Sequence, residues 1–133
     1  MKKDESRADP PPELLAGIAQ FNAGAFYECH ETLEAIWLAE PGAIRRLYQG
    51  VLQVGVAFYH QRNNNFRGCT SLLETGLAYL QPFAPVCLGV NVGQLIEDAS
   101  RCQAVLLDLG KERVQEFDRR LIPYIELVGQ PGV

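Results

Sequence analysis

The sequence predicts an all-α protein, an antiparallel bundle of about five helices with an extended C-terminal arm. Apolar residues recur every three or four positions in five segments, and clusters of Gly, Pro or Asn separate these segments. After the fifth segment, residues 121–128 are apolar and are interrupted by Pro123, which favours an extended conformation over a helix. We therefore divide the chain into a disordered tail at 1–12, a bundle at 13–120 and the arm at 121–133.

Turn residues set the ends of the predicted helices. Gly24 is the expected left-handed cap of the first helix, and Gly110 ends the last one. Glu40-Pro41-Gly42 is a tight turn, so the second and third helices should form an antiparallel hairpin. Asn91 is a good N-cap, with Gln94 as its capping-box partner. The predicted helices cover 13–22, 25–39, 43–63, 66–81 and 92–109, and 111–117 is a candidate short helix.

The third helix is apolar on nearly all sides, which predicts that it is the central one. Gly50 and Gly55 inside it indicate a close approach of a neighbouring backbone. One narrow polar stripe interrupts the apolar surface and spans about 60° at the helical period. Its members are Arg46, Gln49, Gln53, His60 and Asn64.

Composition limits the class of function. The chain has 133 residues and a net charge of -4, which indicates one domain and argues against binding to nucleic acid or to an anionic membrane. It shows neither a signal peptide nor an apolar run of membrane-spanning length, so we expect a cytoplasmic location. The four scattered cysteines match buried thiols of a reducing compartment better than disulfides or a zinc site.

The second helix carries the residues most typical of a functional site. Residues 26–37 contain one of the two histidines, three glutamates and the only tryptophan. His30 and Glu34 lie one turn apart beside the apolar stripe of Phe26, Leu33 and Trp37. An imidazole and a carboxylate directed toward a core are costly unless they are paired or used, so this pair is the first candidate site.

The pair can be interpreted in four ways. A zincin is excluded because His30-Glu31-Thr32-Leu33-Glu34 lacks the second histidine of H-E-x-x-H. A two-metal carboxylate site is disfavoured because His60 would lie about 10 Å further along the hairpin axis. A site formed by His30, Glu34 and one more carboxylate stays open. The alternative is a structural network in which Gln49, Gln53 and Arg46 satisfy the pair.

Two blocks of the sequence resemble the family known as domain of unknown function 309. The first runs from Phe21 to Trp37, and the second from Tyr48 to His60 with Asn65 and Gly68 following, so the likeness covers roughly residues 20–93. It implies a small all-helical cytosolic protein of prokaryotes or plastids, with no established reaction, substrate or cofactor. The family pattern F-x-x-H-E-x-L-E-x-x-W corresponds to Tyr27, His30, Glu31, Leu33, Glu34 and Trp37, and whether Tyr27 or Phe26 is its aromatic ring is left open.

The leading hypothesis is a small-ligand or divalent-metal site between the second and third helices, with a hydrolytic or proton-transfer step if the protein is an enzyme. His30 and Glu34 are the candidate catalytic residues. The candidate metal ligands are His30, Glu31 and Glu34. The candidate ligand-binding residues are Glu31, Trp37, Arg46, Gln49, Gln53 and His60. The alternative is a non-catalytic interaction protein. In either case the apolar arm predicts a homodimer, unless the arm covers its own helices.

Overall fold

The computed structural model describes residues 8–129, and five α-helices make up most of that range. Each predicted helix is confirmed, with ends within two residues of those expected. The predicted disordered tail lies largely outside the described residues, as does the end of the arm. Among residues 8–129, no helix is both long and apolar enough to cross a membrane. The helices are α1 (Pro12–Asn22), α2 (Phe26–Ala39), α3 (Arg45–Arg62), α4 (Phe66–Leu80) and α5 (Val92–Leu109).

Consecutive helices pack against each other, and α3 is the most deeply buried, as predicted. The start of α2 lies beside the end of α3, because the rings of Phe26 and Phe58 have centroids 6.0 Å apart. This contact confirms the antiparallel hairpin. Phe21 of α1 meets the edge of Phe26 at 5.3 Å, and Phe117 stacks on Phe58 at 6.1 Å. These four rings join α1, α2, α3 and the C-terminal segment in one core.

Two glycines bring α3 and α4 into close contact. A Cβ atom at Gly50 would lie 2.8 Å from Leu80 Cδ2 and 3.2 Å from the carbonyl oxygen of Gly76. A Cβ at Gly76 would in turn lie 3.2 Å from the carbonyl oxygen of Gly50. The close approach predicted for Gly50 is therefore present, whereas a Cβ at Gly55 would make only ordinary contacts, beginning at 3.4 Å.

The helix caps agree with those predicted from the sequence, with one exception. Gly24 and Gly110 have φ values of 77° and 75°, a left-handed conformation that glycine adopts without strain. Asn91 Oδ1 accepts a hydrogen bond from Gln94 N at 3.1 Å, as predicted for the N-cap of α5. The reciprocal bond of a capping box is absent, because the Gln94 side chain donates to Asp98 instead. The Asn91 backbone N–H donates to the C-terminal arm, at Glu126 O.

A small β-hairpin connects α4 to α5. Strands β1 (Val86–Cys87) and β2 (Val90–Asn91) pair antiparallel, and the turn between them has positive φ at Leu88 and Gly89. The sequence predicts an apolar loop against the body at this point. Of the three apolar residues expected there, Cys87 and Leu88 are buried, whereas Val86 is 43% exposed. The strands were not predicted because each contains only two residues.

The C-terminal arm packs on its own chain. Two 3-10 segments, Lys111–Glu116 and Arg119–Leu121, precede an extended stretch whose Leu127 bridges to Val90. The side chain of Asn22 fixes the stretch at Ile125: Asn22 Nδ2 donates to Ile125 O at 3.0 Å, and Ile125 N donates to Asn22 Oδ1 at 2.8 Å. Of the two placements that the sequence left open, the described part of the arm adopts the one over its own helices.

Candidate functional site

The His30–Glu34 pair forms as the i,i+4 spacing predicts. His30 Nε2 donates to Glu34 Oε2 at 3.1 Å. The side chains are 36% and 44% exposed, so the expectation that they point into the core is wrong. Because α2 packs mainly on α1 and α3, the side of α2 that carries the pair stays accessible to solvent. The pair therefore contributes little to stability and is accessible to a ligand.

Tyrosine rings flank His30. The Tyr27 ring meets the imidazole edge-on, with centroids 6.4 Å apart, and the Tyr59 ring of α3 lies 6.1 Å from that of Tyr27. Tyr27 is 55% exposed, whereas Phe26 is buried in the core. Tyr27 is therefore the ring of the family-like pattern that lies beside the histidine.

The polar stripe of α3 makes its bonds with residues of α3 and α4. Arg46 Nη1 donates to Gln49 Oε1 at 2.6 Å, and the Arg46 guanidinium lies 4.7 Å from the centroid of the Tyr79 ring. Gln53 Oε1 accepts from Thr75 Oγ1 at 2.6 Å. The side-chain amides are thus engaged away from α2. The predicted network, in which Gln49 and Gln53 satisfy His30, is not formed among the described residues.

His60 serves the turn between α3 and α4. Its Nδ1 accepts a hydrogen bond from Asn65 Nδ2 at 3.3 Å. Asn65 also caps α4, because its Oδ1 accepts from Gly68 N at 2.9 Å. This matches the bracing role that a histidine beside an Asn-rich turn suggests. The structure does not bring His60 into contact with His30.

The remaining predicted residues do not complete a metal site. Glu31 is exposed on α2, and Trp37 is half-buried with an indole Nε1 that has no hydrogen-bond partner among residues 8–129. In the part of the chain that the structure describes, no three His, Cys, Asp or Glu side chains are grouped so that they could hold a metal ion. His30 and Glu34 offer two ligands, and Glu31 does not join them in such a group. A divalent ion at this pair stays a prediction.

A buried polar residue that the sequence analysis missed lies at the end of α3. Gln61 is 1% exposed, and its Nε2 donates to Val114 O at 3.0 Å while its Oε1 accepts from Arg119 Nη1. Gln115 Nε2 donates to the Gln61 carbonyl oxygen at 3.1 Å. The helical period places Gln61 on the same side of α3 as Val54 and Phe58. Its burial could have been predicted from this position.

The cysteines are unsuited to nucleophilic chemistry. All four are buried thiols, as predicted. Burial raises the pKa of Cys29, of Cys69 and of Cys102 to about 12. The thiolate is the reactive form, so these three side chains are almost entirely in the unreactive thiol form at neutral pH.

Comparison with known proteins places the chain among uncharacterised relatives. The model of a family described as "Domain of unknown function (DUF309)" matches residues 14–72. The "Uncharacterized protein YpuF" of Bacillus subtilis (strain 168) is 30% identical over 123 residues, which are 82% of this chain and 71% of that protein. No solved structure matches. The matched residues 14–72 include the His30–Glu34 pair and the polar stripe of α3.

Proposed function

The chain belongs to the DUF309 family of unknown function, and we propose that it binds a small polar ligand beside the His30–Glu34 pair of α2. The observation that carries this proposal is the exposure of the pair. A purely structural His–Glu network would be expected in the interior, where its hydrogen bond replaces lost hydration. Here both side chains are accessible, and the rings of Tyr27 and Tyr59 stand beside the imidazole.

The half-exposed side of α3 forms the rest of the proposed site. Gln53, Val56 and Tyr59 follow one another around α3 and are only partly buried, although α3 packs on both α2 and α4. Tyr59 connects this strip to the pair, because its ring lies beside Tyr27, the ring next to His30. A ligand against the strip would meet aromatic rings and an amide group, a common combination in small-molecule sites.

The hydrogen bond to Glu34 assigns roles to the two ring nitrogens of His30. Because Nε2 donates to a carboxylate, Nδ1 of the neutral ring is the acceptor. Nδ1 has no partner among the described residues, so it is free to accept a proton from a ligand. The Glu34 carboxylate holds the ring through its Nε2–H, so that Nδ1 keeps a fixed direction. Proton transfer, including activation of a water for hydrolysis, is the chemistry that this pair supports.

The presence of only two histidines makes a direct test simple. Imidazole ring resonances of His30 and His60 are recorded by NMR while a panel of small polar fragments is titrated. We expect at least one fragment to shift the His30 signals saturably, and Glu34→Gln to remove the response. His60→Asn is the matched control and should keep it. If the whole panel leaves His30 unmoved, or shifts both histidines alike, the proposal fails. Mn²⁺ as a further probe should broaden His30 selectively if the pair takes part in a metal site.

Glu34→Ala should leave stability nearly unchanged. An exposed i,i+4 pair contributes only about 0.3–0.5 kcal/mol, because water solvates both partners when the pair is broken. We expect the free energy of unfolding in urea to stay within about 0.5 kcal/mol of the parent value. A loss of 2 kcal/mol or more, roughly the penalty for an unsatisfied buried group, would instead support the structural network.

Although the described part of the arm packs on its own helices, some of its apolar side chains stay exposed, and we propose, second, that this exposed side joins two copies of the chain. Tyr124 is 67% exposed and Leu127 is 52% exposed, and Leu127 shares an open groove with Leu15 of α1. The arm extends β2 by one bridge, between Leu127 and Val90, so Leu127 lies at the edge of this small sheet. An apolar strand edge of this kind is complementary to itself, which favours a symmetric homodimer.

Light scattering tests the dimer. At high micromolar concentration we expect the parent chain to have the mass of a dimer, and Tyr124→Ser/Leu127→Ser to have the mass of a monomer. Leu107→Ser is the matched control, because Leu107 on α5 is 57% exposed and lies on a different element. A parent chain that stays monomeric would contradict the proposal, and so would a dimer that the double variant leaves intact.

A further inference from the structure

Two arginine side chains line one pocket at the junction of α1, α2 and the C-terminal segment. The pocket has a volume of about 320 Å³. Arg62 reaches it from the last residue of α3, and Arg119 from the second 3-10 segment. Its wall includes the apolar side chains of Phe26 and Ile122, and no Asp or Glu is among its lining residues.

Each guanidinium is held in place by one hydrogen bond. Arg62 Nη2 donates to Gly24 O at 3.0 Å, and the Arg62 guanidinium lies 5.6 Å from the centroid of the Phe26 ring. Arg119 Nη1 donates to the buried Oε1 of Gln61. An arginine carries five N–H donors. The remaining N–H groups of both guanidiniums have no hydrogen-bond partner among residues 8–129. The bond that each guanidinium does make keeps these free N–H groups in place.

The positive charge in this pocket is not neutralised by the described residues. Arg101, Arg113 and Arg120 each form an ion pair with a nearby acid, whereas Arg62 and Arg119 form none in the described part of the chain. Burial and the neighbouring charge of Arg62 both lower the pKa of Arg119. Two like charges are thus held close together in a protein whose net charge is -4. An anion between them would relieve the repulsion and use the free donors.

We propose that this pocket binds the carboxylate or phosphate group of a small organic molecule, whose apolar part contacts Phe26 and Ile122. Paired guanidiniums suit this role because their planar donor edges match the geometry of oxyanions. The volume lies at the lower end of the range for small-molecule sites. The pocket shares no residue with the proposed His30 site, so either proposal can fail without the other.

Phenyl phosphate, inorganic phosphate and benzyl alcohol are suitable probes. The first carries both features of the proposed ligand, the second only the anion and the third only the apolar part. In ¹⁵N-labelled full-length protein, we expect phenyl phosphate to shift the Nε–Hε signals of Arg62 and Arg119 saturably. It should bind more tightly than inorganic phosphate, and benzyl alcohol should not bind measurably.

Variants of Arg62 give the decisive comparison, because this exposed side chain can be changed with little effect on the fold. Arg62→Gln should weaken phenyl phosphate binding by about tenfold to a hundredfold, the range for one lost charge-assisted interaction. Arg62→Lys keeps the charge but loses the planar donor edge. Its affinity for phenyl phosphate should therefore lie between those of the parent and of Arg62→Gln. Arg67→Gln is the matched control, since Arg67 on α4 lines a different groove, and it should bind as the parent does.

Three results would overturn the inference. The first is equal affinity in the parent and Arg62→Gln, and the second is equal weakening by Arg67→Gln, which would indicate general charge attraction. The third is equal affinity for phenyl phosphate and inorganic phosphate, which would remove the role of the apolar wall. Arg119→Gln adds support if binding is lost while the melting temperature is held, but it is secondary because Arg119 also bonds Gln61.

Discussion

Phe58→Ala should lower the free energy of unfolding by about 3–5 kcal/mol, the usual range for removing a fully buried phenylalanine. Phe58 is 0% exposed. Its ring stacks on Phe117 and lies beside Phe26, so the cavity left by alanine would open between α2, α3 and the C-terminal segment. These elements are held by further contacts and cannot close around the gap without losing other packing. Urea denaturation followed by far-UV circular dichroism measures the change.

Phe66→Ala is the control for this prediction. It removes the same atoms, but Phe66 is only half-buried at the start of α4. We expect it to cost less than half as much as Phe58→Ala, because solvent can fill the space that the ring leaves. Equal losses for the two variants would mean that the four-ring cluster is not the centre of the core.

Gln61→Leu is the second substitution with a large expected effect. It removes the amide that bonds Val114 O and the guanidinium of Arg119, and it leaves both partners without that bond. A buried polar group left unsatisfied costs about 1–3 kcal/mol, so we expect a loss in that range although leucine is the more apolar residue. Because these bonds tie α3 to the 3-10 segments, amide hydrogen exchange should also accelerate across 111–121.

Gln53→Leu is the matched control for Gln61→Leu. It makes the same replacement on the same helix, at a half-exposed position whose side chain bonds only Thr75. We expect a change of less than about 1 kcal/mol, typical of a single exposed hydrogen bond. It should also leave exchange across 111–121 unaffected. If both variants behave alike, Gln61 has no special part in holding the C-terminal segment.

The contrast between Gln53 and Gln61 shows what the sequence could predict. The helices were predicted well because each is bounded by glycine, proline or asparagine residues that act locally, as Gly24 and Asn91 do. The polar stripe that includes Gln53 was also visible, since it interrupts an apolar helix. Gln61 was not singled out, because one glutamine beside charged and Asn-rich positions resembles the exposed end of a helix. Its burial depends on Val114, 53 residues further along the chain.

The sequence predicts the pairing of His30 with Glu34 in the candidate site, but not the solvent exposure of their side chains. The four-residue spacing of His30 and Glu34 is a local property of one helix, so their hydrogen bond could be predicted. Whether that side of α2 is covered depends on how many neighbours α2 has. The number of neighbours cannot be read from the sequence, and the main neighbours of α2 are α1 and α3. The partner of Gln53 was missed for a related reason, because Thr75 belongs to α4 and only α2 was placed opposite the polar stripe of α3.

The Asn22–Ile125 contact has a consequence for the order in which the protein folds. The helices pack mainly on their neighbours in sequence, and such local contacts form early. Asn22 and Ile125 are 103 residues apart, so their two hydrogen bonds close a very long loop. Closing that loop lowers the conformational entropy of the chain, which opposes the formation of these bonds early in folding. We therefore expect the arm to dock last, onto helices that have already assembled. During synthesis, Asn22 can form these hydrogen bonds only after Ile125 has emerged from the ribosome, when nearly all of the described chain has been made.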